Sequence, residues 1–139
     1  MSTEELVQVS QDNGVVRIRL NRPAKKNAFT QDMYTTCNEA LKAADNDSSV
    51  HAVLFESSGD SFSAGNDLND FLSTENLDES APAFQFLHTL ARAEVPIVAA
   101  VNGLAIGIGT TLLLHCDIVY SSDDAVFALP FVQLALFFF

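Results

Sequence analysis

An α/β fold is what this 139-residue sequence predicts. Three features carry the prediction: an alternating apolar stretch that opens the chain, two stretches with apolar residues at helical spacing, and short continuous apolar runs of strand length set between them. Strands and helices take turns in one unit, with no repeat of fixed period and no low-complexity segment.

Taken in order, Val7 and Val9, a turn at Asp12-Asn13-Gly14, then Val16, Ile18 and Leu20 interleaved with Arg17 and Arg19 predict a hairpin. Arg22 to Asn27 is rich in breakers and reads as a loop. Thr30 is placed to cap a helix whose Met33, Cys37, Ala40, Leu41 and Ala44 form one buried stripe. Ala52 to Phe55 is a short strand, followed by a turn at Ser57 to Asp60 and the small-residue loop Ser61 to Leu68, which leads into Asp70 to Leu72. After the acidic, serine-rich stretch from Ser73 to Ser80, the residues Phe84, Leu87, Leu90 and Ala91 predict a second amphipathic helix. Pro96 to Val101 and Ile118 to Tyr120 read as strands buried on both faces, with a glycine-rich turn and an apolar helix, Thr110 to His115, between them.

Composition narrows the function classes. With 18 acidic and 7 basic side chains the net charge is −11, so nucleic acid is not an expected partner. Forty-eight per cent apolar residues suffice for a core without staples. Cys37 and Cys116 have neither disulfide-framework nor zinc spacing, which points to a reducing, cytoplasmic setting. The first ten residues carry acids where an export leader carries bases. Val95 to Cys116 has the length of a membrane span, but Pro96, Asn102, Gly103, Gly107 and Gly109 interrupt it and Asp117 follows, so no span is expected. Membrane insertion there is the weakest reading of the chain. The uncharged end, Ala125 to Phe139, predicts a tendency to aggregate.

Two loops are candidates for chemistry. Gly107-Ile108-Gly109 follows a strand and opens a helix, yet position 112 is Leu where a dinucleotide fingerprint needs a third glycine. What remains is a helix N-terminus with exposed N–H groups, suited to an anion or developing oxyanion, or simply a tightly packed turn. Ser61 to Leu68 offers a second set of backbone donors; its alternative reading is an ordinary turn with Asp67 as a cap.

Three segments then fall into a known pattern: Asn21-Arg22-Pro23 with Lys26-Asn27-Ala28; Phe62-Ser63-Ala64-Gly65-Asn66-Asp67-Leu68; and Val101-Asn102-Gly103 through Gly109 with Cys116-Asp117-Ile118. Their order and spacing resemble the crotonase (enoyl-CoA hydratase/isomerase) family from about Val7 to Leu136. The resemblance implies a crotonase-like spiral of beta-beta-alpha units. Family members being nearly twice this length, residues 1–139 are expected to be an incomplete domain, the N-terminal part of such a protein. It also implies an acyl-CoA thioester as substrate, no cofactor, and relatives that assemble as trimers or hexamers. The backbone N–H groups of Asn66 and Ile108 would form the oxyanion hole, and Ala28, Ala64, Gly65, Asp67, Leu68 and Gly109 would line the substrate. Lys26 would touch a CoA phosphate, unless it is only a solvated charge.

The proton-transfer residues depart from the hydratase pattern. Where hydratases carry two glutamates, this sequence has Thr111 and Phe131, and neither moves a proton at neutral pH. The run Phe127 to Leu136 is similar to a branch of delta(3)-delta(2)-enoyl-CoA isomerases whose single base is a Glu a few residues further on; here Phe137, Phe138 and Phe139 stand there. His51, His88 and His115 lie outside every motif. Two functional expectations result: a chain of isomerase type, or a non-catalytic fragment that binds acyl-CoA or a subunit.

Overall fold

The computed structural model describes residues 5–75 and 77–131. The terminal phenylalanines 137–139, and the isomerase-like run beyond Phe131, lie outside those residues.

Strands β1 (Val7–Asp12) and β2 (Val15–Leu20) form the expected hairpin, Val7 opposite Leu20, closed by Asn13 and Gly14 at φ 51° and 78°. Helix α1 (Gln31–Asp45) begins where the sequence places it, the Thr30 side chain accepting the Met33 N–H at 3.2 Å. Strand β3 (Ala52–Ser57), helices α2 (Leu68–Leu72) and α3 (Pro82–Arg92) and strand β4 (Ile97–Val101) follow. After them come β5 (Leu104–Ile106), α4 (Ile108–Thr111), a 3-10 turn at Leu112–His115, β6 (Ile118–Ser121) and β7 (Val126–Ala128).

The main sheet has the order β1-β2-β3-β4-β6, antiparallel only at the hairpin. Its register aligns Val16 with Val53 and Ile97 in one row, and Ile18 with Phe55 and Ala99 in the next. These side chains share one face and are all buried. Tyr34 of α1 and Phe55 of β3 both approach Phe86 of α3, with ring centroids 6.0 and 6.1 Å apart, and this aromatic group centres the core.

Four details differ from the sequence reading. Helix α3 buries Ala83, Phe86 and Leu90; Phe84 and Leu87 are half-buried and Ala91 is exposed. Strand β6 is not buried: the row through Ile18, Phe55 and Ala99 continues to Val119, which is 39% exposed, and Tyr120 is 66% exposed. Among the described residues nothing covers β6 as α1 and α3 cover the other strands. The apolar helix expected at Thr110 starts two residues earlier and tightens to 3-10 geometry from Leu112. Strands β5 and β7, which pair in parallel as a separate two-stranded sheet, were not foreseen. No helix among the described residues is long and apolar enough to cross a membrane; Val95 to Cys116 is instead divided among β4, β5, α4 and the 3-10 turn.

Candidate active site

The loop after β2 is closed by one side chain. Asn27 is fully buried; its Oδ1 accepts the Arg22 N–H at 2.7 Å, and its Nδ2 donates to the carbonyls of Ser58 and Ser61, each at 2.8 Å. A buried amide with these bonds made ties the loop to the turn after β3. Asn27 was legible only as part of a motif, whereas its structural role follows from a buried amide's need for partners. Beside it, the Lys26 carbonyl accepts the Ala64 N–H at 2.9 Å, while the Lys26 ammonium lies 3.1 Å from both Asp60 oxygens at the surface. That ion pair is exposed and adds little stability, but it occupies the charge.

The two glycine-containing loops run side by side. Ser63 donates its N–H to Leu104 at 3.0 Å and its carbonyl accepts the Ile106 N–H at 2.9 Å, which makes a parallel bridge between Ser63 and Ala105. Further along, a Cβ on Gly107 would lie 3.8 Å from Gly65 Cα, and a Cβ on Gly109 would lie only 2.7 Å from the Ser63 carbonyl oxygen. Only glycine permits the second approach. Ala64, Gly65, Asn66, Ile108 and Gly109 are thereby gathered at one junction.

Peptide planarity fixes where the Asn66 and Ile108 N–H groups point. The Gly65 carbonyl accepts the Phe29 N–H at 2.7 Å, so the Asn66 N–H of the same peptide is directed away from Phe29. The Gly107 carbonyl accepts the N–H groups of Thr110 and Thr111, both at 2.9 Å, so the Ile108 N–H is directed out of the N-terminus of α4. Neither N–H has an acceptor among the described residues. Ile108 is 1% exposed, its side chain belonging to the core.

Asp67 orders this loop. Its Oδ1 accepts the Asp70 N–H at 3.0 Å, capping α2, and its Oδ2 meets Arg22 Nη1 at 2.8 Å. The Asp70 N–H first, then the guanidinium, hold its carboxyl below the usual range. The same Nη1 reaches the Ala28 carbonyl at 3.1 Å, so Ala28 contributes main chain to the clasp; Leu68 beyond it is 48% exposed.

A residue the sequence reading passed over stands behind Asn66. The Tyr34 hydroxyl donates to Asn66 Oδ1, and the Tyr34 ring stacks on Phe29 at 4.7 Å. Burial, with a smaller contribution from Cys37, pushes this phenol well above its ordinary value, so it stays a donor. The available signal was the spacing Tyr34, Cys37, Leu41: a buried stripe carrying a hydroxyl that must find a partner.

Candidates for proton transfer are sparse. Thr111 is half-buried, and Phe131, also half-buried, places its ring 3.9 Å from where a Gly107 Cβ would lie. The three histidines are exposed. Burial, reinforced by Asp117, pushes the Cys116 thiol up to about 11, and burial alone raises Cys37 further, so neither supplies a thiolate. No group of three metal-ligating side chains occurs among the described residues.

The sequence model of the enoyl-CoA hydratase/isomerase family matches residues 10–137. The chain belongs to that family. Among curated relatives, enoyl-CoA delta isomerase 2 of Rattus norvegicus is 42% identical over 92% of this chain and 34% of its own length. The 2,3-dehydroadipyl-CoA hydratase of Escherichia coli is 34% identical over 92% of this chain and 51% of its own. A solved enoyl-CoA hydratase/isomerase of Pseudoalteromonas atlantica superposes with a TM-score of 0.89 at 41% identity, covering 94% of this chain and 52% of that one. The fold is thus the crotonase fold of these enoyl-CoA hydratase/isomerase structures, and the chain spans a third to a half of the length of the curated relatives it matches.

Proposed function

We propose that this chain binds an acyl-CoA thioester and holds its carbonyl oxygen between the backbone N–H groups of Asn66 and Ile108. The observation that carries the reading is the pair of N–H groups on adjoining loops, each oriented by the anchored carbonyl of its own peptide and each lacking a protein acceptor among the described residues. The loops meet one residue before each donor, where a Cβ on Gly107 would lie 3.8 Å from Gly65 Cα. Two donors on one oxygen stabilise the charge that develops there when the carbon next to the thioester loses a proton, typically by about 3 kcal/mol per donor. Ala64, Gly65, Leu68 and Gly109 form the walls, and no cofactor is required.

The chemistry such a site serves once a base is supplied is isomerisation of a 3-enoyl to a 2-enoyl thioester, in which one proton leaves the α carbon, the double bond moves, and a proton arrives at the γ carbon. Isomerases among the relatives, and the lack of an acid at Thr111 and Phe131, support this over hydration. The second reading, binding without turnover, is favoured for residues 1–139 because no described residue at the junction exchanges protons near neutrality. The two cysteines, both free thiols, suit a reducing compartment, with the cytoplasm our reading; one relative is named for the peroxisome and another for the mitochondrion.

Isotope-edited infrared spectroscopy of a bound 13C-labelled hexenoyl-CoA tests the reading. The carbonyl stretch is expected to move to lower frequency on binding, with no turnover of 2- or 3-enoyl-CoA above a buffer blank. A bound thioester with an unshifted stretch overturns the oxyanion site, and turnover overturns the non-catalytic reading.

A further inference from the structure

We propose that Tyr34 is a positioning residue for the Asn66 donor: its hydroxyl occupies Asn66 Oδ1 and so keeps the Asn66 main-chain N–H free for the thioester oxygen. This rests on the oxyanion reading above. An asparagine in a turn competes for nearby backbone N–H groups with its own side-chain carbonyl. Asn66 sits where that competition is severe, one residue after Gly65 and one before the cap of a helix whose first N–H groups are within a turn's reach. The Tyr34 hydroxyl removes the competitor by engaging that carbonyl on the buried side.

Tyr34 is itself fixed. It is 1% exposed, stacked on Phe29 and set against Phe86. Phe29 in turn grips both neighbours of Asn66, donating its N–H to Gly65 at 2.7 Å and accepting the Asp67 N–H at 2.8 Å. The main chain on either side of Asn66 is therefore held by one residue, and the side chain by the residue stacked on it.

Tyr34→Phe removes one oxygen and keeps the ring. In the infrared measurement on the 139-residue chain, the variant is expected to lose most of the carbonyl shift and to bind hexenoyl-CoA about tenfold more weakly. Free CoA, which has no thioester carbonyl, is expected to bind both proteins equally. Asn66→Ala, which keeps the main-chain N–H but has no competing carbonyl, makes Tyr34 irrelevant: adding Tyr34→Phe to it is expected to change nothing further. A full shift in Tyr34→Phe, an equal loss of free CoA binding, or additive effects in the double variant would each overturn the role of Tyr34. An unshifted stretch in the unaltered protein overturns the oxyanion reading beneath it, a result distinct from these three.

Discussion

Arg22, Asp67 and the Asp70 N–H form a three-part clasp at 2.8 and 3.0 Å, and its contribution depends on one proton. Because the folded carboxyl titrates below its unfolded value of about 4, the clasp stabilises the fold fully above that pH. It is lost as pH falls through the lowered folded value. Asp67→Asn keeps the shape without the charge, so at pH 7 it is expected to cost about 1 to 2 kcal/mol in urea unfolding. That deficit should close as both proteins are taken below the lowered folded value. A constant deficit across this range would mean that Asp67 acts through shape alone. Two other acids accept main-chain N–H groups without a cation: Asp45 Oδ1 accepts the N–H groups of Glu94 and Val95 at 2.9 and 2.8 Å, and Asp78 Oδ1 accepts that of Ser80 at 2.9 Å. Nothing local in the sequence distinguishes a carboxylate that caps a turn or a distant loop from one that faces water.

At the level of elements, what was legible is what is local. The hairpin announces itself through alternation and an Asn-Gly turn, and α1 through Thr30 and its apolar stripe, since each signal lies within one turn of the structure it specifies. The buried face of α3 was misread because Phe84, Leu87, Leu90 and Ala91 and the true set Ala83, Phe86 and Leu90 both fit helical spacing. The choice is made by Tyr34 and Phe55, which lie far away in sequence. Strands β5 and β7 were invisible for the same reason, their three-residue pairing joining segments separated by a helix, a turn and a strand. Exposure of β6 shows the limit of hydropathy, which reports what a strand can bury and not what covers it. Phe55→Ala is therefore expected to cost about 3 to 5 kcal/mol by urea denaturation, and Tyr120→Ser no more than about 0.5. Comparable losses would mean that β6 is covered after all.

Charge is a property of the whole molecule, and here it opposes the proposed ligand. Seven basic groups face eighteen acidic ones, and among the described residues three of the seven are in ion pairs: Arg17 with Glu56, Arg22 with Asp67 and Lys26 with Asp60. The phosphates of CoA must therefore approach through a negative field, with the one cation that the family pattern assigns to them held by Asp60. Salt screens such repulsion over a Debye length of about 10 Å at 0.1 M. Raising ionic strength from about 10 to 150 mM is thus expected to tighten acyl-CoA binding in calorimetry, the reverse of the usual behaviour of a phosphate site. Asp60→Asn releases the Lys26 ammonium, and in that variant affinity is expected to rise at low salt and to fall as salt is added. If the unaltered protein already weakens with salt, Lys26 outcompetes its carboxylate partner and the phosphates are read locally. If Asp60→Asn leaves the salt dependence untouched, Lys26 is a surface charge with no part in holding the phosphates.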